Sequence, residues 1–328
     1  MICARRLHAT LASASAATMC RARAMVVVGI MGERADNRHE RLFEVSGVTE
    51  QELPAGSLYV VALPIGNAAD ITLRALWLLA RMDVIAAEDT RVTRPLLARF
   101  GIGTPLTAAH QHNEQEAAAR LIERLARGER VALVTDAGTP GVSDPGARVV
   151  RAVLDAGHRV VPVPGASSAV TAVSAAGLAP GPFRFVGFLP AGRAERERQL
   201  RALAAESTAF VLFEAPHRVR ELLALMAGVL APTRRVVVAR ELTKKFETIE
   251  AHRASELAAL EADERGEYVV LVDAGEEDAA DLDAVTRRWL EALLQDLPPA
   301  RAAAVAAKAS GQPRDALYRL ALQLKPAR

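Results

Sequence analysis

The chain has 328 residues, 51% of them apolar and 24% charged, with a formal net charge of +2. This balance fits a globular protein of two ordinary domains, or one large domain and a small module. It excludes a collagen-like, coiled-coil or disordered chain. The small net charge excludes a polycation, so any nucleic-acid contact has to come from local patches. Only four of the 41 basic residues are Lys.

Residues 1–31 carry Arg5, Arg6, Arg21 and Arg23 and no acid, a composition that imitates a transit peptide. With the polar stretch ending at Pro54-Ala55-Gly56, residues 1–56 are expected to be an extension outside the fold. Such an extension is either disordered or upstream of the true translation start, with Met25 and Met31 as alternative starts. The two cysteines, Cys3 and Cys20, both fall there. No disulfide framework or Cys-based zinc site is therefore expected, which suits a reducing cytosol. No apolar run reaches the roughly 18–20 residues of a membrane span, so a cytoplasmic protein is expected.

Strands are predicted at 58–63, 82–87, 130–135 and 160–163, the first a buried one, each a short apolar run stopped by turn residues. Helices are predicted over 71–81, 114–127, 146–156 and from about 167 to 176. This alternation predicts a mostly parallel sheet covered on both faces, with ligands beyond the carboxyl ends of the strands. The first α/β domain is placed at 57–178. A second, at 179–275, has strands at 183–188, 208–213, 234–239 and 268–273, helices at 194–205 and 216–229, and more hairpin-like connections. The acidic linker Gly275-Glu276-Glu277-Asp278 leads to a helical tail, 282–328, broken at Pro298-Pro299 and Gly311-Gln312-Pro313.

The unusual loops follow strands. Asp136-Ala137-Gly138-Thr139-Pro140-Gly141 continues through Val142-Ser143-Asp144-Pro145-Gly146. Its glycines allow tight turns and close approach of a ligand to the backbone, and its acids can accept from ribose hydroxyls or an amine. It is neither a dinucleotide fingerprint nor a P-loop, and a plain turn is the alternative. Pro64-Ile65-Gly66-Asn67 is a second strand-to-helix loop. Glu88-Asp89-Thr90-Arg91 sets two adjacent acids at a strand end, either as functional groups or as a helix cap with an Asp–Arg pair. His110-Gln111-His112-Asn113-Glu114 lacks zinc-site spacing, and no metal is expected. Glu241-Leu242-Thr243-Lys244-Lys245 uses two of the four lysines and reads equally as a solvated edge.

Taken in order, these loops, with Pro164-Gly165-Ala166-Ser167 and Gly187-Phe188-Leu189-Pro190, resemble the ribosomal RNA methyltransferase branch of the tetrapyrrole methylase superfamily. The resemblance covers about 57–275, and the tail is similar to that branch's small helix-turn-helix segment. It implies two α/β domains with S-adenosylmethionine in the inter-domain cleft, a homodimer, and 2′-O-ribose methylation of a cytidine in the decoding centre of 16S rRNA. Carried over by motif, Pro64, Asp136, Ala137, Gly138, Gly141, Ser167, Ser168, Phe213, Glu214 and Glu241 are the implied cofactor contacts, the last three on its adenine side.

A ribose 2′-hydroxyl is a weak nucleophile and needs a positioned base. Glu88, Asp89, His110 and Lys244 are the candidates. The Glu88–Asp89 pair is favoured because one acid can be held protonated while the other accepts, with Arg91 positioning a phosphate or an acid. Lys244 and Lys245 are read as RNA-backbone contacts, as are Arg193, Arg196, Arg198, Arg201, Arg234, Arg235 and the basic residues of the tail. A tetrapyrrole or corrinoid methyltransferase and a nonenzymatic nucleic-acid-binding protein are the alternatives.

Overall fold

The computed structural model describes residues 35–110, 114–275 and 284–324. Cys3, Cys20, His112 and the acids of the linker lie outside the described residues. The chain divides into two compact units, residues 1–64 with 68–166, and residues 65–67 with 167–328.

In the first unit, β1 (Ser57–Val61), β2 (Val84–Ala87), β3 (Leu106–Ala108), β4 (Val131–Val134) and β5 (Arg159–Val163) form one parallel sheet in the order β3-β2-β4-β1-β5. Side chains alternate between faces along a strand. Tyr59, Val61, Ile85, Ala132 and Val134 join one core, while Leu58, Val84, Ala86, Val131 and Leu133 join another. Both faces are thus covered, which is why these strands read as unbroken apolar runs. Ahead of the sheet lies helix α1 (Ala35–Val45), and α2 (Leu73–Leu79), α3 (Thr90–Arg99), α4 (Glu114–Ala126) and α5 (Ala147–Asp155) connect the strands. The Thr72 hydroxyl caps α2 by accepting from the Ala75 N–H at 3.1 Å.

The structure departs from the sequence reading at the start of the fold. Residues 35–56 are not outside it: α1 is formed, and Phe43 and Val48 are buried in the first core. The Arg130 guanidinium donates to the Leu53 carbonyl at 2.9 Å and the Tyr59 hydroxyl to the Pro54 carbonyl at 3.1 Å, fastening this segment to the sheet. The three-residue β3 is absent from the sequence reading, and α3 enters it only through the alternative of a helix cap with an Asp–Arg pair. Pro95 lies inside α3, where proline normally argues against a helix.

The second unit holds β6 (Phe183–Phe188), β7 (Ala209–Glu214), β8 (Arg235–Arg240), β9 (Thr248–Arg253) and β10 (Tyr268–Val272), in the order β6-β7-β10-β8-β9. β6 is parallel to β7, β10 is antiparallel to β7 and β8, and β8 and β9 form a hairpin. Helix α6 (Ser168–Ala176) belongs here, not to the first domain as its position before residue 178 implied. The Arg235 guanidinium donates to the carbonyls of Ala176 and Gly177 at 2.8 and 2.9 Å and satisfies the end of α6. Helices α7 (Arg193–Ala204) and α8 (Val219–Val229) cover one face through Leu200, Leu203, Leu222, Leu223 and Met226. The tail is three helices, α9 (Ala284–Asp296), α10 (Pro299–Ser310) and α11 (Arg314–Leu324), around Leu290, Ala302, Ala303, Ala306, Leu317, Leu320 and Ala321.

Candidate active site

Because the first sheet is entirely parallel, the carboxyl ends of its strands share one edge. β1 and β4 are neighbours at its centre, and their onward connections leave in opposite directions, the arrangement that opens ligand sites in α/β sheets. The loops there are joined. Leu63 and Gly138 exchange backbone hydrogen bonds of 2.9 and 3.0 Å, which sets the residue before Pro64 against the 136–141 turn. Gly138 and Gly141 have φ of +70° and +80°, open to glycine at little cost. The Thr139 hydroxyl donates to the Ala166 carbonyl at 3.1 Å. Gly165 lies so close to β1 that an added Cβ would sit 2.9 Å from that of Ala62.

The two adjacent acids have unlike surroundings. The Asp89 N–H donates to Asp136 Oδ1 at 3.0 Å, and the Asp136 N–H donates to Glu88 Oε2 at 3.3 Å. Burial pushes the Glu88 carboxyl above its usual range; the Asp136 N–H opposes this, and the neighbouring Asp136 charge reinforces it. Asp89 goes the other way. It caps α3 by accepting from the Arg91 N–H at 2.8 Å, and the Arg91 guanidinium grips both its oxygens at 2.6–3.1 Å. Those bonds hold Asp89 down to about 2. The cap-and-pair reading therefore describes Asp89, while Glu88 is left as the stronger base. The Arg91 side chain remains 88% exposed. His110 is exposed on the same side of the sheet, near enough to favour the charged forms of both acids.

Glu114, which the sequence reading treats only as the end of a motif, has a defined place. Its buried Oε1 accepts from the Gly146 N–H at 2.7 Å, and the Gly141 N–H donates to the Pro145 carbonyl at 3.2 Å. Glu114 thus pins the segment that folds back on the 136–141 turn. A carboxylate opening a helix directly after the sequence His110-Gln111-His112-Asn113 was the available signal.

The second unit has its own strand-end cluster. Glu241 and Thr243 have φ of +52° and +67°, uncommon for residues with side chains. Lys244 Nζ donates to Glu241 Oε1 and Glu267 Oε2, both at 2.9 Å, and the Glu267 N–H donates to Glu241 Oε1 at 3.0 Å. Burial alone would lower the Lys244 ammonium, but the two carboxylates outweigh it and lift it. Lys244 is therefore held charged and is a poor proton acceptor, against its inclusion among the candidate bases. Its stem also lies under Gly66, where an added Cβ would be 2.5 Å from Lys244 Cγ.

Glu214 was an implied adenine contact, yet its side chain is 0% exposed and engaged internally. It accepts from the Ala215 N–H at 2.9 Å and from Arg218, which in turn donates to the Leu189 carbonyl at 3.0 Å. Glu214 braces two loops of this sheet. Phe213 stacks edge-on with Phe185 and Phe188, centroids 5.0 and 5.7 Å apart. Ser167 and Ser168 are half-buried at the start of α6, where Ser167 caps through no side-chain bond.

Five of the arginines assigned to RNA are paired or hydrogen-bonded within the second unit. Arg196 is 3% exposed and paired with Glu221 at 2.6 Å, Arg198 pairs with Glu195, and Arg201 with Glu197. Arg234 donates to the carbonyls of Asp273, Ala204 and Glu206, and Arg235 is spent on α6. Among the described residues no His, Cys, Asp and Glu group could hold a metal ion, and no helix is long and apolar enough to cross a membrane.

Residues 57–258 match the family of tetrapyrrole (corrin/porphyrin) methylases, and residues 278–325 match the RsmI C-terminal HTH domain. The chain is 48% identical over 277 residues to ribosomal RNA small subunit methyltransferase I of Pseudomonas aeruginosa, covering 83% of this chain and 98% of that protein. It is 47% identical to the protein of the same name from Escherichia coli O157:H7, covering 82% and 95%. The solved structure of the methyltransferase CobJ superimposes with a TM-score of 0.52 at 24% identity, covering 67% of this chain and 95% of that one. At that identity the likeness concerns the fold.

Proposed function

The chain belongs to the tetrapyrrole methylases and, among them, to the ribosomal RNA small subunit methyltransferase I family, and from that premise we propose that it methylates the 2′-oxygen of a cytidine ribose in the decoding centre of 16S rRNA. It is an S-adenosylmethionine-dependent methyltransferase. A tetrapyrrole substrate has weaker support, because the likeness to the methyltransferase CobJ is one of fold at 24% identity, while the relatives at 47–48% are named for ribosomal RNA.

The 136–141 turn fits the cofactor. Its backbone is bent at two glycines. Asp136 spends Oδ1 on the Asp89 N–H and keeps Oδ2 for a further donor. Pro64, Asp136, Ala137, Gly138 and Gly141 are the residues proposed to hold it, with Glu114 keeping the turn in shape. When bound, S-adenosylmethionine supplies an electrophilic methyl group on a positively charged sulfur.

The remaining task is to take the proton from the ribose hydroxyl, and the observation that carries the reading is the split between the two acids. Glu88, raised by burial, is the better acceptor and is proposed as the general base. Asp89, locked to Arg91, keeps α3 and that guanidinium in register. The tail is proposed to dock on the small subunit, and the protein to act as a cytoplasmic homodimer. Nucleoside mass spectrometry of 16S rRNA from a strain lacking the protein tests the reaction: one 2′-O-methylcytidine disappears and returns on complementation. An unchanged nucleoside profile refutes it.

A further inference from the structure

Between Thr90 and Asn113 the sequence has no Asp or Glu, while Arg91, Arg94 and Arg99 all fall within helix α3. The helical repeat of 100° per residue gathers the three arginines, with Val92, Pro95 and Ala98, on one side, and every one of these residues is exposed. Thr93 and Leu97 are buried on the other side. Neither Arg94 nor Arg99 makes a hydrogen bond or ion pair with a described residue. Helix α7 differs: it carries more arginine, but Glu195, Glu197 and Glu221 neutralise three of its four. Helix α3 offers Arg94 and Arg99 unpaired, and its cap, Asp89, is the residue next to Glu88.

We propose that the exposed face of helix α3, Arg91, Arg94 and Arg99, is a docking surface for the phosphodiester backbone of the ribosomal RNA substrate. Charge complementarity selects the occupant. Guanidinium groups bind phosphate through paired N–H donors, and beyond the Asp89 cap the helix carries no carboxylate to repel it. A rise of about 1.5 Å per residue spreads Arg91 to Arg99 over about 12 Å of helix, enough to follow a strand rather than grip a single anion. Arg91 contributes its remaining N–H groups while its Asp89 bonds fix its direction. The surface lets substrate affinity be set beside the proton acceptor without a basic charge on the whole protein.

This inference rests on the ribosomal RNA reading above, and the experiment separates the two. Purified full-length protein, wild type and the double variant Arg94→Gln/Arg99→Gln, is titrated with isolated small ribosomal subunits from about 50 to 200 mM salt, the range over which phosphate neutralisation shows most clearly. Cofactor affinity is measured by calorimetry in parallel. The double variant is expected to bind subunits more weakly, with a salt slope shallower by about one for each phosphate no longer neutralised, and to keep its cofactor affinity and thermal unfolding. Arg198→Gln/Arg201→Gln on α7 is expected to match wild type. A wild-type slope and affinity in the α3 variant, or an equal loss in the α7 variant, overturns the surface. Failure of the wild-type protein to bind or methylate subunits overturns the function instead. Arg94→Gln alone gives the same readout with half the perturbation should the double variant fold poorly.

Discussion

Two loops of this protein are built from nearly the same letters, Glu88-Asp89-Thr90-Arg91 after β2 and Glu241-Leu242-Thr243-Lys244 after β8, and they end in opposite electrostatic states. In the second loop the cation lies between two carboxylates, and the Glu241 carboxyl is held down, chiefly by Lys244. Every charge there is satisfied. In the first, Arg91 is taken by Asp89, and Glu88 has no salt bridge, only a backbone N–H, two anionic neighbours and the nearby His110. An acid next to a base in sequence therefore says little about reactivity. What counts is which carboxylates the cation reaches. A closed cluster braces backbone, while an acid left over can take a proton.

The largest expected effect comes from removing the leftover acid. Glu88→Gln should lower single-turnover methylation by roughly 10²- to 10⁴-fold with cofactor binding retained. In wild type the rate should fall on acidification through the raised Glu88 value, and the variant should lose that dependence. The stability sign is opposite to the activity sign. A carboxyl raised in the folded state stabilises the fold only when protonated, so Glu88→Gln should unfold slightly later than wild type at pH 7, and the gain should vanish below the ordinary glutamate range. Near wild-type turnover from about pH 6 to 9, where a general base has to be ionised, would erase the distinction between the loops and point to His110.

Gly66→Ala tests the closed cluster next. The new Cβ meets the Lys244 stem, and φ at Gly66 is +149°, so a cost of about 1–3 kcal/mol in denaturant unfolding is expected. The rate of the folded fraction should change by less than a few-fold. A large rate loss with an intact fold would make Lys244 a participant.

Smaller still is the acid sensitivity of Glu241. Its carboxyl is depressed in the fold, so its contribution is present above the unfolded glutamate value and disappears as pH falls through the folded one. Unfolding midpoints of wild type and Glu241→Gln should therefore differ most near neutrality and converge in acid, opposite in sign to the Glu88 pair. The smallest effect belongs to Asp89→Asn. Asparagine caps a helix about as well as aspartate, and an exposed ion pair contributes little. Thermal unfolding should barely move, and a loss of rate comparable to that of Glu88→Gln would reverse the assignment of base and brace.

Much of this was legible in the chain. Apolar runs stopped by Gly, Pro and Asp located β1, β2 and β4 and the loops beyond them, because a strand buried on both faces leaves an unbroken signal, while β5, an edge strand with only Val163 buried, showed through its short Val-rich run alone. The misses have physical causes. Thr248–Arg253 is a polar edge strand with most of its residues exposed, so it has no core-facing run to show. Pro95 disguised α3, and the polar sequence around Phe43 and Val48 hid a segment that two side chains secure to the core. The acid-free run from Thr90 to Asn113 was visible in the letters and needed only the helix to show which way its arginines face.

By itself the sequence determined the alternation of strands and helices, the glycine-rich turn after β4, and the presence of paired acids and bases at strand ends. These are local matters, set by side-chain period and by the dihedral freedom of single residues. Only the tertiary structure decided which charge meets which: that Glu214 turns inward to Arg218, that Arg196 is buried against Glu221, that Arg235 closes α6, and that Glu88 is the acid left without a salt bridge. Such pairings join residues brought together by strand order and helix packing, and the energy of a charge depends on burial and neighbours, which no local window of sequence contains.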